Sequence, residues 1–245
     1  MRKHSKIVAT LVAASLATGV VAQANPPGYT AKKVENGAKL KGKVTYSGDP
    51  AKANEKDNTE KDPESCGKER TKANILVGAD KALKDVVVYL SNITTGKDWT
   101  PEQTKVDLDQ KTCMYAPHVV LVKEGGTVVF KNSDGVLHNI MATSTQDQGF
   151  NEGVGPGKEL TKTFEKSEFV QLACSVHPWM SAVVVVMKNP YYTFTNEKGE
   201  YEISDIPAGK WKVMAEHKPL GKAEPKGSEI EFKAGETQTK NYDLK

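Results

Sequence analysis

Three side chains that bind soft metal ions lie within one short segment. The segment Cys174-Ser-Val-His177-Pro-Trp-Met180 supplies a thiolate, an imidazole and a thioether. Apolar, β-branched runs precede and follow it, which predicts a tight loop between two strands. Because a loop this short brings its donors to one point, the spacing predicts a metal site whose remaining ligand comes from elsewhere in the chain.

His138 is the best candidate for a second imidazole, because it follows a predicted strand and the turn-forming residues 132–135. A thiolate, two imidazoles and a weak, distant thioether form the ligand set of blue-copper electron-transfer sites. Zinc is the competing metal, but it favours four firm ligands, and a thioether is a poor fit. The pattern therefore predicts one type 1 copper ion per chain. Its predicted ligands are His138, Cys174, His177 and Met180.

The segments that must position these ligands have the patterns of strands. Short β-branched or alternating runs are separated by Gly, Pro, Asn and Asp, which favours an all-β sandwich or barrel. The predicted strands are residues 39–46, 85–90, 118–122, 127–131, 168–174, 181–187, 199–203, 210–214 and 229–233. Residues 48–72, which are charged and poor in large apolar side chains, and the glycine-rich residues 146–158 are predicted to be exposed loops.

The N-terminal residues 1–24 have the layout of a secretory signal peptide. Arg2, Lys3 and Lys6 precede an apolar run, and Ala22-Gln-Ala24 is a small-x-small cleavage site. An uncleaved membrane anchor is the alternative. Removing this segment leaves 31 basic and 31 acidic residues, so no excess of positive charge indicates nucleic-acid binding. No later apolar run reaches transmembrane length, and we expect a periplasmic or secreted protein.

The cysteine count is three, and an odd count in an oxidising compartment leaves one thiol over. We predict that Cys66 and Cys113 form a disulfide bond and that Cys174 remains a free thiol that binds the metal. The alternative is that one of the first two cysteines is a buried free thiol.

Residues 104–188 resemble a cupredoxin. The stretch 120–139, VLVKEGGTVVFKNSDGVLHN, resembles the first-ligand half of plastocyanin and amicyanin, and the Cys-x-x-His-Pro-x-Met loop is similar to the short ligand loop of amicyanin. The resemblance implies a Greek-key sandwich with copper at one end, bound equatorially by Cys174 and two imidazoles and axially by Met180. It also implies that Asn139 ties the two ligand loops together, with its backbone N–H directed at the Cys174 sulfur.

By the same resemblance, His177 is the ligand nearest the surface, and electrons leave through its ring. Pro178 and Trp179 would then border an apolar docking patch, although ordinary packing is an equal alternative for Trp179. The implied partners are redox proteins such as c-type cytochromes or a periplasmic dehydrogenase.

The C-terminal residues 189–245 resemble a carboxypeptidase regulatory-like (transthyretin-like) sandwich through the stretch 195–211, TNEKGEYEISDIPAGKW. Two features differ from the family pattern. Asn196 and Glu197 shift the position of its acidic residue, and Tyr201 and Trp211 stand where other aromatic residues are more common in the family. This stretch covers only half of such a domain, and the earlier strands of the family's fold resemble parts of residues 36–100. Our hypothesis is one split sandwich with the cupredoxin inserted into it. The alternative is that residues 36–100 elaborate the cupredoxin.

Three functions compete at this point. A one-electron carrier needs only the predicted copper site. A copper enzyme, such as a multicopper oxidase or nitrite reductase, needs further histidines, and only His118 and His217 remain after residue 24, both of which we expect to be structural. A copper storage or delivery protein usually has Met-rich or multi-Cys stretches, which this sequence lacks.

Overall fold

Short strands make up almost all of the regular structure in residues 24–245, the part of the chain that the computed structural model describes. The prediction of an all-β fold is therefore confirmed. The predicted signal peptide lies, apart from Ala24, outside the described residues. Among the helices of the described residues, none is long and apolar enough to cross a membrane.

The strands fall into three groups along the chain. Residues 24–100 contain Thr30–Ala31 (β1), Ala38–Tyr46 (β2), Lys56–Asn58 (β3), Glu69–Thr71 (β4), Val87–Leu90 (β5) and Thr95–Gly96 (β6). Residues 101–188 contain Lys105–Lys111 (β7), Met114–Ala116 (β8), Val119–Lys123 (β9), Gly126–Asn132 (β10), His138–Thr143 (β11), Phe150–Val154 (β12), Glu159–Phe164 (β13), Phe169–Ala173 (β14) and Ser181–Met187 (β15).

The third group lies in residues 189–245. Its strands are Tyr192–Phe194 (β16), Glu200–Ile206 (β17), Gly209–His217 (β18), Gly221–Lys222 (β19), Ser228–Phe232 (β20), Thr237–Thr239 (β21) and Tyr242–Leu244 (β22). The helical turns of the described residues are all short. They are Pro50–Lys52 and Ala79–Lys81, which are 3-10 turns, and the α-helical turns Pro63–Cys66 (α1) and Pro101–Thr104 (α2).

Two sheets built from residues 105–187 form what we call the central sandwich. One sheet has the strand order β13-β10-β7-β8, and the other has the order β12-β11-β14-β15-β9. The facing sides of these sheets carry large apolar residues at alternate positions, as a half-buried strand requires. Phe130 lies at the centre of this core, fully buried, with its ring centroid 6.1 Å from that of Phe150 and 6.4 Å from that of Phe164.

The remaining long strands form a second body, the flanking sandwich, from both ends of the described chain. One sheet has the order β16-β5-β18-β19, with β20 also paired to β18, and the other joins β17, β21 and β22 to β2. Strand β5 thus pairs with strands that follow residue 190, and β2 does so as well. Leu40, Leu90, Tyr191 and Phe232 are among the buried residues of the flanking core.

The two sandwiches are stacked through a small apolar layer that we call the junction. Alternate residues of β15 face opposite ways: Val184 contributes to the central core, whereas Val183 and Val185 contribute to the junction. Val87 of β5 meets this layer from the flanking side. Burial on both faces explains why β15 is an unbroken apolar run and not an alternating one.

Each of the nine predicted strands overlaps a strand of the structure, but the two predicted loops need correction. Residues 146–158 are not all loop, because β12 lies within them and pairs antiparallel with β11. Residues 48–72, which we call the strap, contain a small hairpin of β3 and β4 and the turn α1. The strap is held to the central sandwich by a disulfide bond between Cys66 and Cys113.

We expect Phe130→Ala to lower the free energy of unfolding by about 3–5 kcal/mol, because it leaves a cavity in the central core. The control is Phe194→Ala, since the Phe194 side chain is 39% exposed, and its cost should be below about 1 kcal/mol. Urea denaturation of both variants followed by circular dichroism measures the difference. Equal losses would contradict the assignment of Phe130 to the core.

Candidate metal centre

His138 follows strand β10 and the turn at residues 132–135, as predicted, and is the first residue of strand β11. The backbone pairing of His138 with Val154 fixes its position in the sheet. Its ring is fully buried, and its Nε2 lies 2.9 Å from an oxygen of Asp134. That carboxylate also accepts the backbone N–H groups of Thr112 and Cys113, at 2.6 and 2.7 Å. The Nδ1 atom of His138 is thereby turned inward.

The segment 174–180 is a tight loop, because β14 ends at Ala173 and β15 begins at Ser181. The thiol of Cys174 is free and buried, and the backbone N–H of His177 donates to its sulfur at 3.4 Å. At the other end of the loop, the backbone N–H of Met180 donates to the carbonyl of His177 at 3.0 Å. These two bonds close the loop on itself, and the Met180 side chain is fully buried.

Three of the four predicted ligands converge. The Nδ1 atoms of His138 and His177 lie 2.9 Å apart. One nitrogen of each ring lies close to the Cys174 sulfur. These three donor atoms are all within 4.8 Å of one another. His138 and Cys174 are 36 positions apart in the sequence, so only the folded sandwich brings them together. This cluster, with Met180 buried at the end of the same loop, can hold a metal ion.

Hydrogen bonds decide the protonation of the cluster. Burial would raise the pKa of the Cys174 thiol, but hydrogen bonds from His138 and from the backbone of Asn139 and His177 outweigh it and hold that pKa below its ordinary value. Burial would lower the pKa of His138, but Cys174 and Asp134 together raise it. The cluster therefore favours a thiolate, the form of cysteine that binds metals.

The pKa of His177 is shifted in the opposite direction to that of His138, downward. Burial lowers the pKa of its ring, the nearby His138 adds to this lowering, and the carboxylate of Asp62 opposes both. A neutral imidazole is the form that coordinates a metal ion. Its Nε2 lies 2.9 Å from Asp62, which leaves Nδ1 directed at the other two donors.

Two buried polar groups join the segments that carry the ligands. The side-chain oxygen of Asn139 accepts the backbone N–H of Ser175 at 2.7 Å and its hydroxyl at 3.0 Å. The hydroxyl of Tyr115 lies 2.8 Å from the carbonyl of Asn139 and 3.0 Å from that of Ala173. A single hydroxyl thus bridges the residue after His138 and the residue before Cys174.

That His177 is the ligand nearest the surface stays a prediction, but its ring is covered. His177 is completely buried, because the strap crosses over it and presents Asp62 to its outer nitrogen. The disulfide of the strap lies against the same ring, with the sulfurs of Cys66 and Cys113 and a nitrogen of His177 all within 4.8 Å of one another. A buried disulfide therefore forms part of the wall of the metal centre.

Trp179 reaches the surface where His177 does not. Its ring centroid lies 5.1 Å from that of His177, its Nε1 donates to the carbonyl of Cys113 at 3.0 Å, and its side chain is half-buried. Pro178 beside it is exposed. Both residues border a groove whose other wall belongs to the strap. The strap residues in that wall are Lys56, Asp57, Glu60 and Lys61.

Sequence reasoning missed three residues that orient the ligands. Asp134 lies in the turn before His138, and its spacing of four residues was an available signal. Tyr115 lies two residues after Cys113 but carries no pattern that indicates its role. Asp62 is 115 positions from His177, in a charged segment, and nothing in the local sequence indicates that it meets the metal centre.

Comparisons with known proteins give partial similarities only. No protein-family model matches the chain, and neither does any curated protein. Among solved structures, the Cu-containing nitrite reductase from Thermus scotoductus SA-01 is 22% identical with a TM-score of 0.33, over 41% of this chain and 25% of that chain. This chain therefore spans about a quarter of the length of that enzyme.

Two smaller proteins are similar to about a third of this chain. The purple cupredoxin from Nitrosopumilus maritimus is 25% identical with a TM-score of 0.30, over 33% of this chain and 98% of that chain. A variant of amicyanin in its reduced Cu(I) form is 22% identical with a TM-score of 0.32, over 34% of this chain and 82% of that chain. The family resemblance of residues 189–245 stays a prediction.

We expect Tyr115→Phe to lower the free energy of unfolding by about 1–3 kcal/mol, because it removes the hydroxyl that bridges the carbonyls of Asn139 and Ala173. The control is Tyr242→Phe, whose hydroxyl lies 3.4 Å from Ser228 and should contribute less than about 1 kcal/mol. Urea denaturation of the metal-free proteins gives both values. If the two substitutions cost the same, the bridging role of Tyr115 is wrong.

Proposed function

We propose that the chain is a type 1 (blue) copper protein of the cupredoxin class, which carries one electron at a time between redox partners. The convergence of the Cys174 sulfur with the Nδ1 atoms of His138 and His177 is the observation that supports it most directly. Met180 completes the predicted set as a weak axial donor. A soft thiolate with two imidazoles and a thioether suits copper in both oxidation states and suits zinc poorly.

The donor set fits the proposed ion in its protonation as well as in its position. Both outer ring nitrogens lie 2.9 Å from carboxylates, Asp134 for His138 and Asp62 for His177, which favours N–H on the outer nitrogens. The proton that His138 shares with Cys174 would be released when the metal binds at Nδ1. The lowered pKa of Cys174 favours its thiolate. A bound copper ion would supply a one-electron redox couple at this point.

The chain itself supplies rigidity. All four proposed ligands are almost completely buried, and the loop 174–180 is held at both ends by hydrogen bonds. Ligands fixed in this way move little when the charge of the site changes. A small rearrangement is the main requirement for rapid electron transfer, so the architecture favours a carrier.

Trp179 replaces His177 in the proposed path to the surface. The strap covers His177, whereas the ring of Trp179 contacts that imidazole and is partly exposed at the groove. The groove carries two lysines and two acidic residues, so it has no strong single-sign field. We propose that a redox partner, such as a c-type cytochrome or a periplasmic dehydrogenase, docks over Pro178 and Trp179.

Export is part of the proposal. The N-terminal segment has the signal-peptide layout, and the Cys66–Cys113 disulfide suits an oxidising compartment such as the periplasm. Copper delivery is the competing function, and it requires ligands that a recipient can reach. The burial of all four proposed ligands favours electron transfer over delivery.

We predict that the copper-loaded protein holds one copper ion per chain with intense visible absorption, and that Cys174→Ser abolishes this absorption, because the thiolate is responsible for the colour. The control is the double substitution Cys66→Ser and Cys113→Ser, which removes the other sulfurs near His177; it loosens the strap and so shifts the absorption, but it keeps the thiolate and should keep an intense visible band. Visible spectra and metal analysis test this. Colour that survives in Cys174→Ser would overturn the proposed function.

We predict that Trp179→Leu slows electron exchange with a small inorganic redox complex by about tenfold or more, equivalent to about 1.4 kcal/mol of activation free energy. Its visible spectrum should remain that of a blue site, and the rate is corrected for any change in potential. Trp211→Leu, in the flanking sandwich, is the control and should leave the rate unchanged. Stopped-flow mixing measures both, and equal rates for the two variants would exclude the proposed path.

A further inference from the structure

The disulfide between Cys66 and Cys113 lies directly against the metal centre. Its two sulfurs and one nitrogen of His177 are all within 4.8 Å of one another. Cys66 is 4% exposed, and Cys113 and His177 are completely buried. This group of three residues, which we call the strap cluster, is separate from the group of His138, Cys174 and His177 and shares only one imidazole with it.

Reduction of the disulfide would give the strap cluster the donors that a soft ion requires. In the oxidised chain the two sulfurs are bonded to each other, so they cannot act as a pair of thiolates. Thiol–disulfide exchange with a dithiol would convert the pair into two thiols, with two electrons and two protons gained, while the dithiol becomes a disulfide. Two thiolates and one imidazole would then face one point, and thiolates select Cu(I) among the metals available to proteins.

The spacing of the strap cluster suits three ligands of one ion. The Cα atoms of Cys66 and Cys113 are 5.2 Å apart. Two sulfurs that each lie about 2.3 Å from one ion, the usual distance in zinc thiolates, are about 4 Å apart in a trigonal arrangement. Rotation about the Cα–Cβ bonds can provide this separation. Zinc in a closed site nearly always takes four protein ligands, so a cluster of three favours Cu(I).

Contacts other than the disulfide keep the strap beside the imidazole. The carboxylate of Asp62 lies 2.9 Å from Nε2 of His177. Further along the strap, the guanidinium of Arg70 donates to the carbonyl of Thr112 at 2.6 Å, next to Cys113 in the chain. Polar contacts therefore position the strap over the metal centre in addition to the covalent bond, and they hold the cysteines of the reduced chain close to the ring.

We propose that the reduced chain binds one Cu(I) ion through Cys66, Cys113 and His177, and that closure of the disulfide abolishes this site. On the proposed export, the site suits the capture of copper before an oxidising compartment closes the disulfide. An ion held there already has His177, one ligand of the proposed copper centre. The site does not require Cys174, so it does not rest on the proposed function.

Titration of the full chain carrying Cys174→Ala with Cu(I) tests the proposal, because this variant lacks the third thiol. The disulfide is reduced with a phosphine, which is then removed without oxygen, and a colorimetric Cu(I) chelator competes for the ion. We expect the reduced form to bind one Cu(I) per chain about 100-fold or more tightly than the oxidised form. Equal affinities of the two forms would overturn the proposed site.

Two further substitutions in the same chain test the imidazole. His177→Gln should lower the Cu(I) affinity of the reduced form about tenfold or more. His138→Gln is the matched control, because that ring is equally buried and lies beside His177 but is not part of the strap cluster. It should change the affinity less than about threefold. Equal losses in the two folded variants, or X-ray absorption that shows copper bound by sulfur alone, would contradict the proposed ligand set.

The ion and the disulfide use the same sulfurs, so each should exclude the other. A small organic disulfide re-forms the Cys66–Cys113 bond and is itself reduced to two thiols, and counting the free thiols after acid quenching follows this closure. One equivalent of Cu(I) should slow closure in the reduced Cys174→Ala chain about tenfold or more. Closure at the same rate with and without Cu(I) would overturn the proposal. The blue centre is tested in the oxidised wild type, so the failure of one proposal is distinguishable from the failure of the other.

Discussion

The turn at Thr112–Cys113 holds the parts of the metal centre together. Its two backbone N–H groups bind the carboxylate that orients His138, the Cys113 sulfur anchors the strap that covers His177, and the Cys113 carbonyl accepts the indole N–H of Trp179. Both residues of the turn adopt left-handed backbone, with φ of 52° and 53°. A displaced turn would disturb both imidazoles at once, so the geometry of the centre depends on one short connection between β7 and β8.

Burial on both sides of one sheet explains how the two sandwiches form one body. Strands β9 and β15 direct alternate valines into the central core and into the junction, and β5 closes the junction from the other side. Such strands have no polar face, which is why their sequence is continuously apolar.

The sequence predicted the parts of the structure that depend on local pattern. The nine predicted strands, the all-β class and the loop at Cys174 follow from alternation and from the clustering of turn residues. Strand β12 was missed because its glycine-rich surroundings resemble a loop. The burial of His177 was missed because it depends on Asp62, which no local rule connects to the metal loop. Long-range contacts of this kind are determined by the fold and not by spacing.

The strands of the flanking sandwich come from two parts of the chain that are separated by the central sandwich, and this separation determines when the flanking sandwich can fold. Within residues 24–245, strand β2 forms ladders with β17, β21 and β22, all of which follow residue 199, and is otherwise joined to the earlier chain by a bridge between Thr45 and Ala82. The first strands of this sandwich are therefore synthesised before the strands with which they form ladders. Closing such long loops is slow, and the early strands expose unpaired edges until the later strands emerge. This body therefore cannot be completed until strands β17 to β22 have been synthesised, and its early strands wait for them in the nascent chain.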